Sequence, residues 1–162
     1  MPTKYQEKIV PVTWYLGGPD GSKYTAKQFY NDERDSSKVY SGNASTWEGK
    51  IGLMYMSDYM YAAAKDKWTL YGYNYDSSLE DKGVSSDYRS VKEDDWLLDC
   101  SNGQWTITHR SSLGDHVFYV NSSGNVYNVY ARIGYAVRPV FYLESNVTFS
   151  RGNGTLDEPF II

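Results

Sequence analysis

Residues 117–130 run Val117-Phe118-Tyr119-Val120-Asn121-Ser122-Ser123-Gly124-Asn125-Val126-Tyr127-Asn128-Val129-Tyr130. Two runs rich in β-branched and aromatic side chains flank a Ser-Gly-Asn turn, the pattern of a β-hairpin. Outward from it lie three more strand-like runs: Trp96-Leu97-Leu98, Trp105-Thr106-Ile107-Thr108, and residues 137–143. Asn102-Gly103, Leu113-Gly114-Asp115 and Gly134 punctuate them as turns. The carboxyl-terminal part is therefore expected to be an antiparallel meander. Trp105, Val117, Val120, Val126, Val129 and Val137 are expected to alternate into its core.

The amino-terminal part has a different texture. A strand-like run from Ile9 to Leu16 stops at Gly17-Gly18-Pro19-Asp20-Gly21. Thr25 is placed to cap a short helix from Ala26 to about Asn31. Residues 31–46 are polar and predict a loop. The run Ile51 to Met56 predicts a buried strand. Ser57 follows as an expected N-cap, with Asp58 in the first turn of a helix through Ala64. Residues 72–95 are polar and acidic without apolar period, the mark of an exposed insertion. Two short helices, an antiparallel sheet and long loops make the expected class α+β, in one domain spanning residues 1–162.

Composition narrows the function. Net charge is −4 and the isoelectric point about 5.1, and no basic face is apparent, so a nucleic-acid partner is not expected. The uncharged runs are too short to span a bilayer, and no leader pattern follows Met1. Cys100 is alone, so cysteine usage does not report the compartment. The chain has 17 Tyr and 5 Trp. Tyr favours strands, yet it also supplies rigid contact area with one polar tip. Composition leaves both readings open.

Catalytic and metal motifs are weak. His109 and His116 are seven positions apart, which on one strand directs them to opposite faces. With Asp115 between them, polar loop residues are favoured over a metal site. Ser111-Ser112 has no nucleophile-elbow context. The Gly17–Gly21 stretch lacks the lysine of a phosphate loop, and Asp94, Asp95 and Asp99 do not form a calcium loop. Neither cofactor nor metal is expected. Asn43, Asn121, Asn146 and Asn153 fit the glycosylation pattern, as chance allows in a chain rich in Asn and Ser.

At Trp47-Glu48-Gly49-Lys50-Ile51-Gly52-Leu53-Met54-Tyr55-Met56-Ser57-Asp58-Tyr59 the sequence becomes more specific. Together with Trp14-Tyr15-Leu16-Gly17-Gly18, Trp105-Thr106, Ser123-Gly124-Asn125-Val126, Val137-Arg138-Pro139-Val140 and Gly152-Asn153-Gly154-Thr155, it resembles a group of Firmicutes surface proteins. Their extracellular module resembles a C-type lectin fold of the formylglycine-generating-enzyme type, often behind a pilin-like or other membrane anchor. Some are targets of diversity-generating retroelements. The likeness runs from about Trp14 to Ile162, with Ala136 where the group usually has Gly. It implies a C-type-lectin-like domain at the cell surface, excised from a longer protein whose anchor would be its only link to a membrane. Enzymes sharing this fold need a cysteine pair or clustered histidines. With one Cys and two His, the expectation is a non-enzyme.

Retroelement diversification acts on adenines of Asn-type codons, which cannot become Lys, Glu, Gln, Met or Trp codons. Residues 106–143 contain none of these five types. The resemblance thus implies a recognition domain of a bacterial or phage surface protein, binding a protein or glycan through a diversified face in residues 106–136. Its candidate residues are His109, Arg110, Asp115, His116, Tyr119, Tyr127, Asn128, Tyr130, Arg132 and Tyr135, expected to project from one end. The alternative is the structural head domain of a pilus-like fibre subunit.

Overall fold

The computed structural model describes residues 6–21, 26–62, 102–122, 126–155 and 157–161. The expected strand at Trp96-Leu97-Leu98, the insertion at 72–95 and the cap at Thr25 lie outside the described residues. The class is α+β. Strands β1 (Ile9–Val10) and β2 (Val12–Tyr15) precede helix α1 (Ala26–Glu33), followed by β3 (Thr46–Gly49), β4 (Gly52–Leu53) and helix α2 (Met56–Tyr61). The later strands are β5 (Gln104–His109), β6 (His116–Val120), β7 (Val126–Tyr130), β8 (Pro139–Val140) and β9 (Tyr142–Leu143). They form four small antiparallel sheets: β1 with β9, β2 with β3, β4 with β8, and β5-β6-β7.

The expected meander is present as β5-β6-β7, and β6 and β7 pair without a break from His116↔Tyr130 to Val120↔Val126. Residues 137–143 are not one strand. They divide at Phe141 into β8 and β9, which pair with β4 and β1 respectively. Loop 31–46 ends in β3, laid against β2 so that Trp47 faces Trp14. Ala136 bridges Gln104 through Trp105 N–H to Ala136 C=O and Ala136 N–H to Gly103 C=O, each 3.0 Å.

The core gathers Phe29 of α1, Met56, Tyr59 and Met60 of α2, Met54, and Phe118 and Val120 of β6, with Val126 and Val140 against it. Phe29 and Phe118 meet edge to face at 4.9 Å. Val120 and Val126 thus point inward as expected. Trp105, Val117 and Val129 do not. The buried face of β5 is Gln104, Thr106 and Thr108, so Trp105 lies on the other face. Val117 and Val129 oppose each other there too, because alternation sends Phe118 inward. Val137 is 62% exposed.

Buried polar groups on β5 are tolerable only when satisfied. Thr106 Oγ1 donates to Phe118 C=O at 2.8 Å. Thr108 Oγ1 accepts from Met56 N–H at 2.9 Å and donates to Glu33 Oε1 at 2.6 Å. Glu33, the fully buried last residue of α1, also accepts from Ser57 N–H at 3.0 Å and from the Ser57 hydroxyl. Ser57 is therefore not the N-cap. Tyr55 holds that place, and in the first turn of α2 Glu33 reaches across from α1 to accept the Ser57 amide while Thr108 takes that of Met56. Asp58 does sit in the first turn, where its carboxylate accepts from Tyr55 N–H at 3.1 Å.

Trp14 is buried, and its indole N–H donates to Gly49 C=O at 3.0 Å. Its ring lies over Gly52, where an added Cβ would stand 2.7 Å from three indole carbons. Gly52→Ala is expected to lower unfolding free energy by about 2 kcal/mol through overpacking, read from urea denaturation midpoints.

Candidate functional site

The three-stranded sheet carries most of the expected site residues, but it divides them between its faces. On the outer face Trp105 opposes Tyr119, and Tyr119 opposes Tyr127. Tyr135 comes in from the following segment, held by the Ala136 bridge, and stacks on Tyr119 at 4.4 Å and 13°. Trp105 meets Tyr135 edge-on at 5.0 Å and Tyr119 at 5.9 Å, and Tyr119 meets Tyr127 at 6.2 Å. All four rings are half-buried. Each fixes its neighbour, so little rotamer freedom remains to be lost on contact with a ligand.

On the opposite face Asn128 and Tyr130 alternate with those rings. The Tyr130 ring contacts His116 at 4.3 Å and lies 4.8 Å from the Arg132 guanidinium carbon. Asp115 Oδ1 lies 2.8 Å from His116 Nδ1. Arg110 is committed to the fold: its Nε donates to Asp20 C=O at 2.7 Å and to Ser112 Oγ at 3.0 Å, and its Nη1 to Asn128 Oδ1 at 3.2 Å. It latches the Gly17–Gly21 loop to the sheet. The single projecting end expected for the ten residues is thus replaced by two clusters on opposite faces, a consequence of the strict two-residue alternation within β6 and β7.

His109 belongs with neither. It pairs with Val117 on the outer face, and its Nδ1 is buried without a hydrogen-bond partner among the described residues. Burial holds its pKa below the usual imidazole value, an effect that a backbone bond to Ile107 opposes. His116 points to the other face. Among the described residues no three His, Cys, Asp or Glu side chains are grouped to hold a metal ion, and no helix is long and apolar enough to cross a membrane. Asn153 accepts from Thr155 N–H and Oγ1 at 3.0 and 2.7 Å, and donates to Glu158 at 2.9 Å, so this sequon shapes a turn.

A cleft of about 460 Å³ adjoins the ring cluster, walled by Leu16, Trp47, Leu53, Ile107, Val137 and Pro139 among others. Ile107 shares the outer face of β5 with Trp105. The cleft was hidden in the sequence because Val137 fits a core strand and Trp47 borders a polar loop. The one signal for it was an exposed-type segment carrying an indole. Comparison with family models, with curated proteins and with solved structures returns no match.

Proposed function

We propose that the chain is a non-catalytic recognition domain with a C-type-lectin-like fold, displayed on a bacterial or phage surface protein and binding a protein or glycan. Its ligand rests on Trp105, Tyr119, Tyr127 and Tyr135. The observation that carries this reading is the ring cluster itself: four mutually braced, half-buried aromatics on an uncharged sheet face beside an apolar cleft. Tyr hydroxyls add directional hydrogen bonds to that contact area. Trp105 lies just outside residues 106–143, the stretch free of Lys, Glu, Gln, Met and Trp. In the diversified form of this reading it is the constant ring against which Tyr119 and Tyr135, both reachable from Asn-type codons, are presented.

The test is to probe glycan arrays and arrays of bacterial and host surface proteins with the full chain, then titrate the hits by calorimetry. Tyr135→Ala is expected to weaken binding by about 30-fold, the effect of losing one anchoring ring. Arg132→Ala, on the opposite face, is expected to leave it unchanged. Equal loss from both variants would move the site off the outer face, and no hit with any probe would defeat recognition altogether.

A further inference from the structure

Among the described residues the backbone of β7 is paired on one side, with β6. Ala131 N–H donates to Asp115 C=O at 2.8 Å, and this pair continues the register of His116↔Tyr130. Directly opposed residues in an antiparallel ladder alternate between exchanging hydrogen bonds and not. The exchanging pairs are therefore Val129 with Val117 and Tyr127 with Tyr119. On the other side, Arg110 N–H donates to His116 C=O at 3.0 Å, so His116 faces β5 as the same alternation requires. Val126, Asn128 and Tyr130 must then turn their amides away from β6. No strand pairs with that edge of β7 among the described residues. The Tyr130 carbonyl is engaged locally by Ile133 N–H at 3.0 Å.

Exposed edges are normally blunted by Lys, Pro or a bulge. Val126-Tyr127-Asn128-Val129-Tyr130 has no charge and no proline, and its register with β6 is unbroken. It is also complementary to itself. Laid antiparallel against a copy about a two-fold axis at Asn128, it sets Val126 opposite Tyr130 on one face and Tyr127 opposite Val129 on the other. Every flanking pair joins an aromatic to a β-branched residue, a favourable cross-strand match, and no like charges meet. Asn128 faces Asn128 of the second copy, amide to carbonyl in both directions, and Tyr130 N–H reaches the Val126 carbonyl.

We propose that β7 pairs with β7 of a second copy of this chain in a closed, two-fold dimer. An isologous contact of this kind uses up both edges and does not propagate. The dimer stands apart from the ligand reading. It would nevertheless place both ring clusters on the same side of one continuous sheet, so that a repetitive surface could be engaged bivalently.

Sedimentation equilibrium of the full chain over a wide concentration range tests the pairing. The mass should rise from 18.5 kDa and level at twice that value. Asn128→Asp keeps an acceptor for Arg110 but opposes two carboxylates at the axis, so the dimer should weaken at least tenfold, with the unfolding midpoint unchanged at concentrations low enough for both chains to be monomeric. Should that variant not fold, Asn128→Cys in a Cys100→Ser background decides. Mild oxidation should link it into a covalent dimer, because directly opposed Cα atoms about 5.5 Å apart lie within disulfide reach, whereas a Lys50→Cys control should stay monomeric. A mass fixed at 18.5 kDa, growth beyond two chains, an Asn128→Asp variant that dimerises like the parent, or equal cross-linking of both cysteine variants would each overturn the proposal.

Discussion

Glu33→Ala is expected to lower unfolding free energy by about 3 kcal/mol. The carboxylate is fully buried and accepts from Thr108 Oγ1, Ser57 N–H, the Ser57 hydroxyl and Arg34 Nη1. Thr108 cannot turn away, because its oxygen already accepts from Met56 N–H. Removing Glu33 therefore strands donors from β5 and from the first turn of α2 at once, where water does not replace the partner. Desolvation dominates this site and raises the Glu33 pKa above its ordinary 4.5, although the hydrogen bonds from Ser57 and Thr108 and the charge of Arg34 pull the other way. The folded chain thus holds this proton to higher pH than the unfolded chain. Stability changes with pH as the protons bound by the unfolded state minus those bound by the folded state. It therefore falls as pH rises above 4.5, until Glu33 is ionised in both states. Burial raises Asp58 and Asp32 as well, and these slope the same way. Asp35, lowered by its bonds from Ser37, slopes oppositely. Glu33→Gln keeps one acceptor and loses the charge. Its urea midpoint should fall less between about pH 5 and pH 8 than that of the parent, and equal slopes would show that Glu33 does not set the dependence.

That network also shows where sequence patterning stops. The β6–β7 hairpin was legible because strand preference and turn chemistry agree over one contiguous stretch. The α+β class followed from the contrast between the two halves. The facing of β5 was not legible. Its apolar residues, Trp105 and Ile107, invite a core assignment, yet Gln104, Thr106 and Thr108 are the ones inside. Thr108 is satisfied there by Glu33, more than seventy positions away along the chain, and no local window contains that partner. The same failure split the candidate site. Tyr119 and Tyr127 come together because they oppose each other across β6 and β7, whereas Asn128 and Tyr130 fall on the other face for the same geometric reason. Residue type marked which side chains suit recognition, but only register decides which of them share a surface.

The last large effect concerns Gly18, which sequence reading assigned to a turn. Its importance is steric. A Cβ built there would lie 1.8 Å from the carbonyl oxygen of His109 and 2.9 Å from its carbonyl carbon, and backbone at the end of β5 cannot swing aside as a side chain would. Nor can the glycine retreat. Its own N–H donates to Lys38 C=O at 2.9 Å, Gly17 N–H donates to Glu33 C=O at 3.2 Å, and Ser111 N–H binds Pro19 C=O at 3.0 Å. The strip 17–20 is thus clamped between the end of α1 and the β5–β6 connection, and Arg110 closes it by donating to Asp20. Gly18→Ala is expected to cost about 4 kcal/mol or to abolish folding at 37 °C, as overpacking against immobile backbone should. Gly134→Ala provides the contrast, since nothing lies within 4 Å of its added methyl, and it should shift stability by less than about 0.5 kcal/mol. Chemical denaturation of the two variants side by side decides the matter. If Gly18→Ala unfolds at the parent's midpoint, the strip does not pass against β5 as described. The latch through Arg110 and the placement of His109 would then fall with it.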